Sequence, residues 1–211
     1  MNKPGAAWEW RLFGAGREAP VIPGLTGQPE ERSEFDHYLV APEVKHNVKL
    51  RAGDVEVKRL LETRARGLQL WQDKEIFSLP ASAGQVAALG KFLNVNVEGA
   101  DVQTAEELIA YFTRFQPALR TVHVTKRRVR WHLAEGCRLE LAHICIGEQA
   151  EYWSYCADSY DVAPLITLVE SLPVPPDSFT MSYVELLQAA HGDGKGLAEG
   201  ARAGRTVLGL R

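Results

Sequence analysis

Basic side chains at every second position give residues 46–61 a clear potential for chemistry. Lys49 and Arg51 precede an Ala-Gly-Asp turn, and Lys58 follows it. The positions that alternate with these cations are valines and a leucine, and side chains alternate between the two faces of a strand. The pattern predicts a hairpin with one apolar and one cationic face, which by itself is also typical of a solvent-exposed hairpin.

A second cationic row occupies residues 126–133. Lys126, Arg128 and Arg130 share one face of the predicted strand, while Val129 and Trp131 share the other. Like charges on one face of a sheet repel each other unless an anion or nearby carboxylates offset them. Two such rows in a chain whose formal net charge is −3 therefore indicate a local site for a polyanion.

Three carboxylates lie close to these cations in the predicted strands. Glu9, Glu56 and Glu140 are each two residues from a lysine or arginine and so share a strand face with it. Carboxylate oxygens hold Mg²⁺ or Mn²⁺, and lysine and arginine neutralise phosphoryl oxygens, so this mixture suits a metal-bound phosphate chain. Ordinary cross-strand salt bridges on a solvated surface are the alternative interpretation.

The rest of the chain predicts an α+β fold in which strands carry these rows. Residues 14–29 are rich in Gly and Pro and predict a loop, and alternation predicts further strands at both ends of the hairpin. Helical spacing of apolar residues follows Ser82 and Thr104, each of which can cap a helix. The predicted strands beyond the hairpin are 8–13, 35–40, 68–72, 121–133, 138–146 and 151–156, and the later predicted helices are 161–172 and 182–190.

Composition bounds the domain organisation and the compartment. The 211 residues, 45% of them hydrophobic, can form one core, so we expect a single domain over 1–190 and a flexible tail over 191–211. No apolar run reaches the length of a membrane span, and the first residues lack a signal-peptide pattern, which favours the cytoplasm. A net charge of −3 argues against nonspecific binding to a membrane or a nucleic acid. RNA is also an unexpected partner because the basic rows lack the interleaved exposed aromatics that stack on bases.

Other motifs predict little chemistry. The sequence has no phosphate loop, no dinucleotide-binding fingerprint and no HExxH pair. His143 and Cys145 share a strand face, and without further ligands we interpret them as a core pair and expect no zinc site. The three cysteines, odd in number and without CxxC spacing, predict buried reduced thiols.

The order of motifs resembles the CYTH-like, triphosphate tunnel metalloenzyme superfamily, with a degenerate first-strand motif. The resemblance rests on a Glu-x-Arg strand, the VKLR…VEVK hairpin, a helical insertion, the KRRVR and LELAHI strands and a closing SYVELL. It implies a closed antiparallel β-barrel of about eight strands, a tunnel with helices packed outside. Members of that superfamily include triphosphatases and some adenylate cyclases.

The resemblance also implies roles for individual residues. It places substrate-phosphate contacts at seven basic residues: Arg11, Lys49, Arg51, Lys58, Lys126, Arg128 and Arg130. It places Mg²⁺ or Mn²⁺ at Glu9, Glu140 and Glu56. The chain departs from the family where Ala7 replaces the first glutamate of the first strand and Arg11 replaces its lysine. A later acidic pair corresponds to Ser154 and Cys156 in one register, or to Glu151 and Trp153 in the other.

Three functions follow as expectations. The first is a metal-dependent phosphohydrolase that acts on inorganic triphosphate or on a nucleoside or thiamine triphosphate inside a basic tunnel. The second is a catalytically inactive protein of the same fold that binds polyphosphate or a nucleotide. The third is an adaptor whose charges are paired internally. The expected partner for the first two is a phosphate-rich small molecule, and a homodimer is also left open.

Overall fold

The computed structural model describes residues 5–148 and 150–191, which form one α+β arrangement of strands and helices. The predicted tail over 191–211 lies outside these residues, apart from His191. The single domain over 1–190 stays a prediction. The strands are β1 (Ala6–Ala15), β2 (Glu30–Val40), β3 (Asn47–Arg51), β4 (Asp54–Lys58), β5 (Leu60–Thr63), β6 (Gln69–Gln72), β7 (Glu75–Ser78), β8 (Arg120–His132), β9 (Arg138–Ile146), β10 (Ala150–Ser159) and β11 (Phe179–Thr180), and the helices are α1 (Ala83–Phe92), α2 (Ala105–Phe115), α3 (Val162–Ser171) and α4 (Tyr183–His191).

The strands form one antiparallel sheet that curls strongly. Their order is β5-β6-β1-β10-β9-β8-β2-β3-β4-β7, with β11 beside β1. In a flat sheet, β1 and β4 would be six strand spacings apart, roughly 29 Å. Lys58 Nζ on β4 nevertheless donates a hydrogen bond to Glu9 Oε2 on β1 at 2.9 Å. The side chains of distant strands therefore meet across the concave face.

The predicted closed barrel is not observed, because the strands do not pair in a closed ring. The path of paired strands has two ends, β5 and β7, and it contains more strands than the predicted number of about eight. Only Arg59 separates β4 from β5, however, and its carbonyl accepts a hydrogen bond from the backbone N–H of Gln72 at 2.9 Å. The segment 54–63 thus lies beside β3 at its start and beside β6 at its end, which brings the edges of the curled sheet together.

Three helices cover the outer face, as the sequence predicts. Helices α1 and α2 pack on the apolar outer sides of β2, β3 and β4, and α3 packs on those of β1, β9 and β10. Ser82 caps α1 in a capping box, and Thr104 caps α2 through the backbone N–H of Glu107. No helix of the described residues is long and apolar enough to cross a membrane.

Helix α4 differs from the prediction because it packs on the inner face. Tyr183, Leu186 and Leu187 contact inward-facing residues of the sheet, including Phe13 and Ile144. This apolar cluster fills one end of the space inside the curled sheet, and α4 places Tyr183 at its border with the charged part. The charged cavity is consequently closed at that end by packed side chains.

Candidate functional site

The concave face of the sheet encloses a charged cavity of about 370 Å³. Eight strands and α4 contribute side chains to its wall. All ten residues that the sequence analysis assigned to phosphate or metal binding line this one cavity: Arg11, Lys49, Arg51, Lys58, Lys126, Arg128, Arg130, Glu9, Glu56 and Glu140. The wall contains ten basic and six acidic side chains, so cations are in excess within a chain of net charge −3.

Strand alternation explains why these residues point inward. On β1, Trp8 and Trp10 are buried in the outer core with α3, so Glu9 and Arg11 must face the cavity. On β3 the apolar residues pack under α1 and α2, and Lys49 and Arg51 face inward in the same way. The charged face of the hairpin is thus enclosed rather than solvated.

The most fully buried charged residue beneath the cavity cations is a carboxylate that the sequence analysis did not assign. Asp36 on β2 is fully buried, with 0% of its surface exposed. It accepts hydrogen bonds from Arg51 Nε at 2.6 Å and from Lys126 Nζ at 2.8 Å, and Lys49 Nζ lies 3.6 Å away. Burial opposes its ionisation, but these three cations outweigh burial and lower the pKa of Asp36 well below its ordinary value.

Glu34 and Glu140 hold the arginine row of β8. Glu34 accepts hydrogen bonds from Arg128 and from Arg51, the latter at 2.6 and 2.9 Å. Glu140 Oε2 accepts from Arg128 at 2.9 Å and from Arg130 at 2.7 Å. Although burial opposes it, the surrounding arginines lower the pKa of Glu140. Each guanidinium is therefore held in a fixed orientation along the wall.

A second acidic cluster lies at the junction of β1, β4 and β10. Glu9 accepts hydrogen bonds from Arg11 at 3.2 Å and from Lys58 at 2.9 Å. Burial raises the pKa of Glu9, but Lys58 and Arg11 act more strongly and lower it to about 2. Asp158 lies directly opposite Glu9 in the strand register, and Arg138 is its hydrogen-bond partner at 2.5 Å. Burial first and the charge of Glu9 second raise the pKa of Asp158.

Lys49 is a cation whose pKa is lowered by its place in the cavity. Burial and the nearby Lys126 lower its pKa from 10.5 to about 8, and Asp36 and Glu56 only partly oppose this. Glu56 Oε2 is 3.0 Å from Lys49 Nζ, and Lys74 Nζ donates to Glu56 Oε1 at 3.1 Å. An added anion beside Lys49 would favour its charged form.

Three buried side-chain atoms of cavity-lining residues have no hydrogen-bond partner among the described residues. They are Arg11 Nη1, which lies 3.9 Å from Glu140 Oε1, Arg130 Nε and the hydroxyl of Tyr183. The Arg11 guanidinium carbon lies 4.7 Å from the centroid of the Tyr183 ring, and Lys126 Nζ lies 4.2 Å from it. A buried donor without a partner costs about 1–3 kcal/mol. These atoms are buried, so a ligand oxygen would accept from them after a local movement of the wall.

The three predicted metal ligands do not converge on one point. Glu56 is paired with lysines on one side of the cavity, and Glu140 is paired with the arginine row on another. Over residues 5–148 and 150–191, no three cavity carboxylates bring their oxygens within 4.8 Å of one another. Glu9 and Asp158 are adjacent carboxylates, and a divalent cation would offset the like charge that raises the pKa of Asp158. This pair fits a Mg²⁺ or Mn²⁺ ion that takes its other oxygens from water and a substrate.

The structure also locates the departures from the family motif. Ala7 lines the cavity at the position of the first family glutamate. Of the two registers considered for the later acidic pair, Cys156 faces the cavity and Trp153 packs in the outer core. The inward register therefore carries no acid at 154 or 156, and Asp158, two residues further on, is the inward carboxylate of β10.

The sequence analysis missed several residues of the site. Asp36 lies behind the wall and binds Arg51 and Lys126. The missed residues that line the cavity are Asp158, Arg32, Glu34, Tyr38, Asp73, Lys74, Arg138 and Tyr183. A signal for part of this set is present in the sequence, because Glu34, Asp36 and Tyr38 alternate along β2 and so share a face. No comparable pattern marks Asp158 or Tyr183, whose positions depend on strand register and on the docking of α4.

Comparisons with known proteins give structural matches only. No protein-family model matches the chain, and no curated protein matches it in sequence. HpAC1 from Hippeastrum, a candidate adenylyl cyclase described as having a dominant triphosphatase activity, is 11% identical with a TM-score of 0.48, over 87% of this chain and 96% of that chain. Protein PH1819 from Pyrococcus horikoshii OT3 is 14% identical with a TM-score of 0.40, over 85% of this chain and 96% of that chain.

A third similar structure is a candidate adenylate cyclase from Bacillus halodurans. It is 9% identical with a TM-score of 0.38, over 69% of this chain and 78% of that chain. The superfamily that the sequence resembles stays a prediction, because these three structures are only 11%, 14% and 9% identical to this chain. Because the TM-scores are below 0.5, these matches carry no argument about the activity, metal or substrate of this chain.

Proposed function

We propose that this protein binds a small molecule with a triphosphate chain in the charged cavity and hydrolyses it with the help of Mg²⁺ or Mn²⁺. The observation that carries the binding is the excess of basic side chains in the cavity wall, ten against six acidic ones. In this wall Arg11 Nη1, Arg130 Nε and the Tyr183 hydroxyl make no hydrogen bond to the described residues. Phosphate oxygens are acceptors that would offset the excess charge and accept hydrogen bonds from these groups.

The other cations would contact the rest of the phosphate chain. Arg128 and Arg130 are fixed by Glu140 along one wall, and Lys126 and Arg11 both lie against the Tyr183 ring. A guanidinium held by a carboxylate needs little reorganisation when it binds a phosphoryl oxygen, so its charge is available in the transition state. A bound anion would raise the pKa of Lys49 above its value of about 8 in the protein alone and so favour its charged form.

Glu9 and Asp158 are the residues that would hold the metal. When bound, Mg²⁺ or Mn²⁺ neutralises charge on the phosphoryl oxygens. Glu9 stays ionised near neutral pH because its pKa is about 2. Lys58 and Arg11 position the Glu9 carboxylate through hydrogen bonds. Both also line the cavity, where they could contact substrate oxygens. Hydrolysis of the terminal phosphate by in-line attack of water is the reaction class that this arrangement suits.

A non-catalytic polyphosphate or nucleotide binder is the second candidate. Ala7 leaves the family's first acidic position without an oxygen ligand, and Glu56 and Glu140 are paired with cations of the wall. These observations weaken metal binding and leave phosphate binding intact. A cytoplasmic location and a homodimer stay predictions.

Phosphate release separates the two candidates. Purified protein is incubated with tripolyphosphate or ATP and Mg²⁺ or Mn²⁺, beside the Glu9→Gln and Asp158→Asn variants. Glu170→Gln is the control, because that carboxylate is exposed and paired with Arg66 on the surface. A metal-dependent hydrolase is supported if wild type and the control release phosphate and both cavity variants do not.

If no phosphate is released, thermal unfolding with tripolyphosphate shows whether the protein binds it without hydrolysis. A ligand at about 100 times its Kd stabilises the folded state by about 2.7 kcal/mol, or about 5–11 °C in Tm for a chain of this size. A shift of this order without release identifies the binder. An unchanged Tm together with no release contradicts both candidates and favours internally paired charges.

A further inference from the structure

A cluster of potential metal ligands lies outside the charged cavity, on the outer face of the sheet. His143 and Cys145 are on β9, two residues apart, and Glu151 on β10 is paired directly with Cys145 in the strand register. The neighbours on the other side of β9 pack in the inner core, so these three side chains point outward. The interpretation of His143 and Cys145 as a core pair is therefore wrong: both are half-buried, and the Glu151 side chain is 48% exposed.

The three ligand atoms surround one point. Cys145 Sγ is 3.7 Å from His143 Nε2 and 3.9 Å from Glu151 Oε1, and these two atoms are 3.5 Å apart. In a tetrahedral zinc site, bonds of about 2.0–2.3 Å place neighbouring ligand atoms roughly 3.3–3.6 Å from one another. The observed triangle thus matches a zinc coordination sphere after small movements of the ligand atoms.

A catalytic Cys-His-acid arrangement and a simple ion pair both fit this geometry less well. In a Cys-His-acid nucleophile, the acid holds the ring nitrogen opposite to the thiol, whereas here both groups face Nε2. A direct ion pair between a charged histidine and a carboxylate would have an N–O distance of about 2.7–2.9 Å, which is shorter than the 3.5 Å found. A thiolate, an imidazole and a carboxylate around one point are ligands that Zn²⁺ commonly binds in proteins.

The surroundings can balance the charge of such a site. A thiolate and a carboxylate neutralise a divalent ion, and the imidazole binds uncharged. Arg127 is paired with His143 across β8 and β9, and Arg17 also lines the adjoining open cleft of about 500 Å³. Three protein ligands leave a fourth position for water or an anion, which these arginines would favour.

We propose that His143, Cys145 and Glu151 form a site for Zn²⁺ on the outer face of the sheet, separate from the phosphate cavity. Cys145 binds as the thiolate, and its proton passes to solvent when the metal binds. Nε2 of His143 is the coordinating nitrogen, so Nδ1 carries the ring proton. The ion joins β9 to β10 across the turn between them and stabilises this hairpin.

Cobalt substitution tests the ligand set directly. Metal-free full-length protein is titrated with Co²⁺, and the near-ultraviolet thiolate-to-cobalt band is recorded. The band is expected in wild type and in Glu148→Gln, a neighbouring exposed carboxylate. Cys145→Ser should abolish it. Cys156→Ser should retain it, which separates this site from the thiol beside the cavity carboxylates.

Zinc affinity completes the test. Zn²⁺ should displace Co²⁺ with a Kd below about 1 μM. Glu151→Gln and His143→Ala should each weaken Zn²⁺ binding by more than about 100-fold. Loss of a residue that only hydrogen-bonds a metal ligand costs roughly 10–100-fold in affinity, and loss of a ligand itself should cost more. Zn²⁺ should also raise the Tm of wild type and leave that of Cys145→Ser unchanged. Circular dichroism checks that each variant is folded. A band that survives Cys145→Ser, disappears in Cys156→Ser, or never forms in folded wild type contradicts the proposal.

Discussion

Replacement of Asp36 by asparagine removes the carboxylate that the cavity cations share. The carboxylate is fully buried and accepts hydrogen bonds from Arg51 and Lys126, with Lys49 at 3.6 Å. Removal of one partner of a buried ion pair costs about 3–5 kcal/mol, because the remaining charge is left uncompensated. For a chain of this size, that loss corresponds to a decrease in Tm of about 6–20 °C.

The same substitution distinguishes a binding site from a structural charge network. In Asp36→Asn the uncompensated cations should bind an added anion more strongly, so tripolyphosphate should raise the Tm of the variant more than that of wild type. Chemical and thermal unfolding with and without tripolyphosphate measure both effects. Glu30→Gln is the control, since its pair with Arg32 is exposed and should contribute little. The reasoning would be refuted if Asp36→Asn lost less than about 1 kcal/mol of unfolding free energy. It would also be refuted if tripolyphosphate raised the Tm of the variant and of wild type equally.

Four further substitutions test the electrostatics and the packing. Lys49 releases its proton near pH 8 in the folded protein and near 10.5 when unfolded, so wild type should gain stability relative to Lys49→Met as the pH rises between these values, measured by urea unfolding. The pKa of Glu9 is lowered from 4.5 to about 2, so the stability advantage of wild type over Glu9→Gln should be present above pH 4.5 and shrink as the pH falls toward 2. A Cβ at Gly14 would lie 2.1 Å from the Trp153 ring, so Gly14→Ala should lower the Tm, whereas Gly84→Ala, with nothing within 4 Å in helix α1, should raise stability by about 0.5–1 kcal/mol.

The cationic rows could be predicted because strand alternation fixes which side chains share a face. Lys49 and Arg128 belong to such rows, and both reach the same cavity. Alternation alone does not show which face is enclosed. The enclosed face was predicted from the family resemblance, and the contact between Lys58 and Glu9 is the structural observation that places the charged side inside.

The rest of the site depends on contacts between distant segments. Asp158 meets Glu9 only through the register of β1 and β10, and Tyr183 reaches Arg11 only because α4 docks inside the sheet. The sequence of a single strand does not determine its register with a neighbouring strand. Glu151 likewise joins His143 and Cys145 across a hairpin, so the spacing of ligands along the chain gave no zinc motif. Asp36 could have been found, because it alternates with Glu34 along β2.

A structure of the protein with bound tripolyphosphate tests the central claim most directly. The phosphate chain should lie in the cavity, with oxygens within hydrogen-bond distance of Arg11 Nη1 and the Tyr183 hydroxyl. Arg128 and Arg130 should keep their contacts with Glu140 while they bind further phosphate oxygens. Tripolyphosphate found only on the outer face, or a cavity in which Arg11 and Tyr183 stay without a phosphate contact at saturating ligand, would contradict the claim.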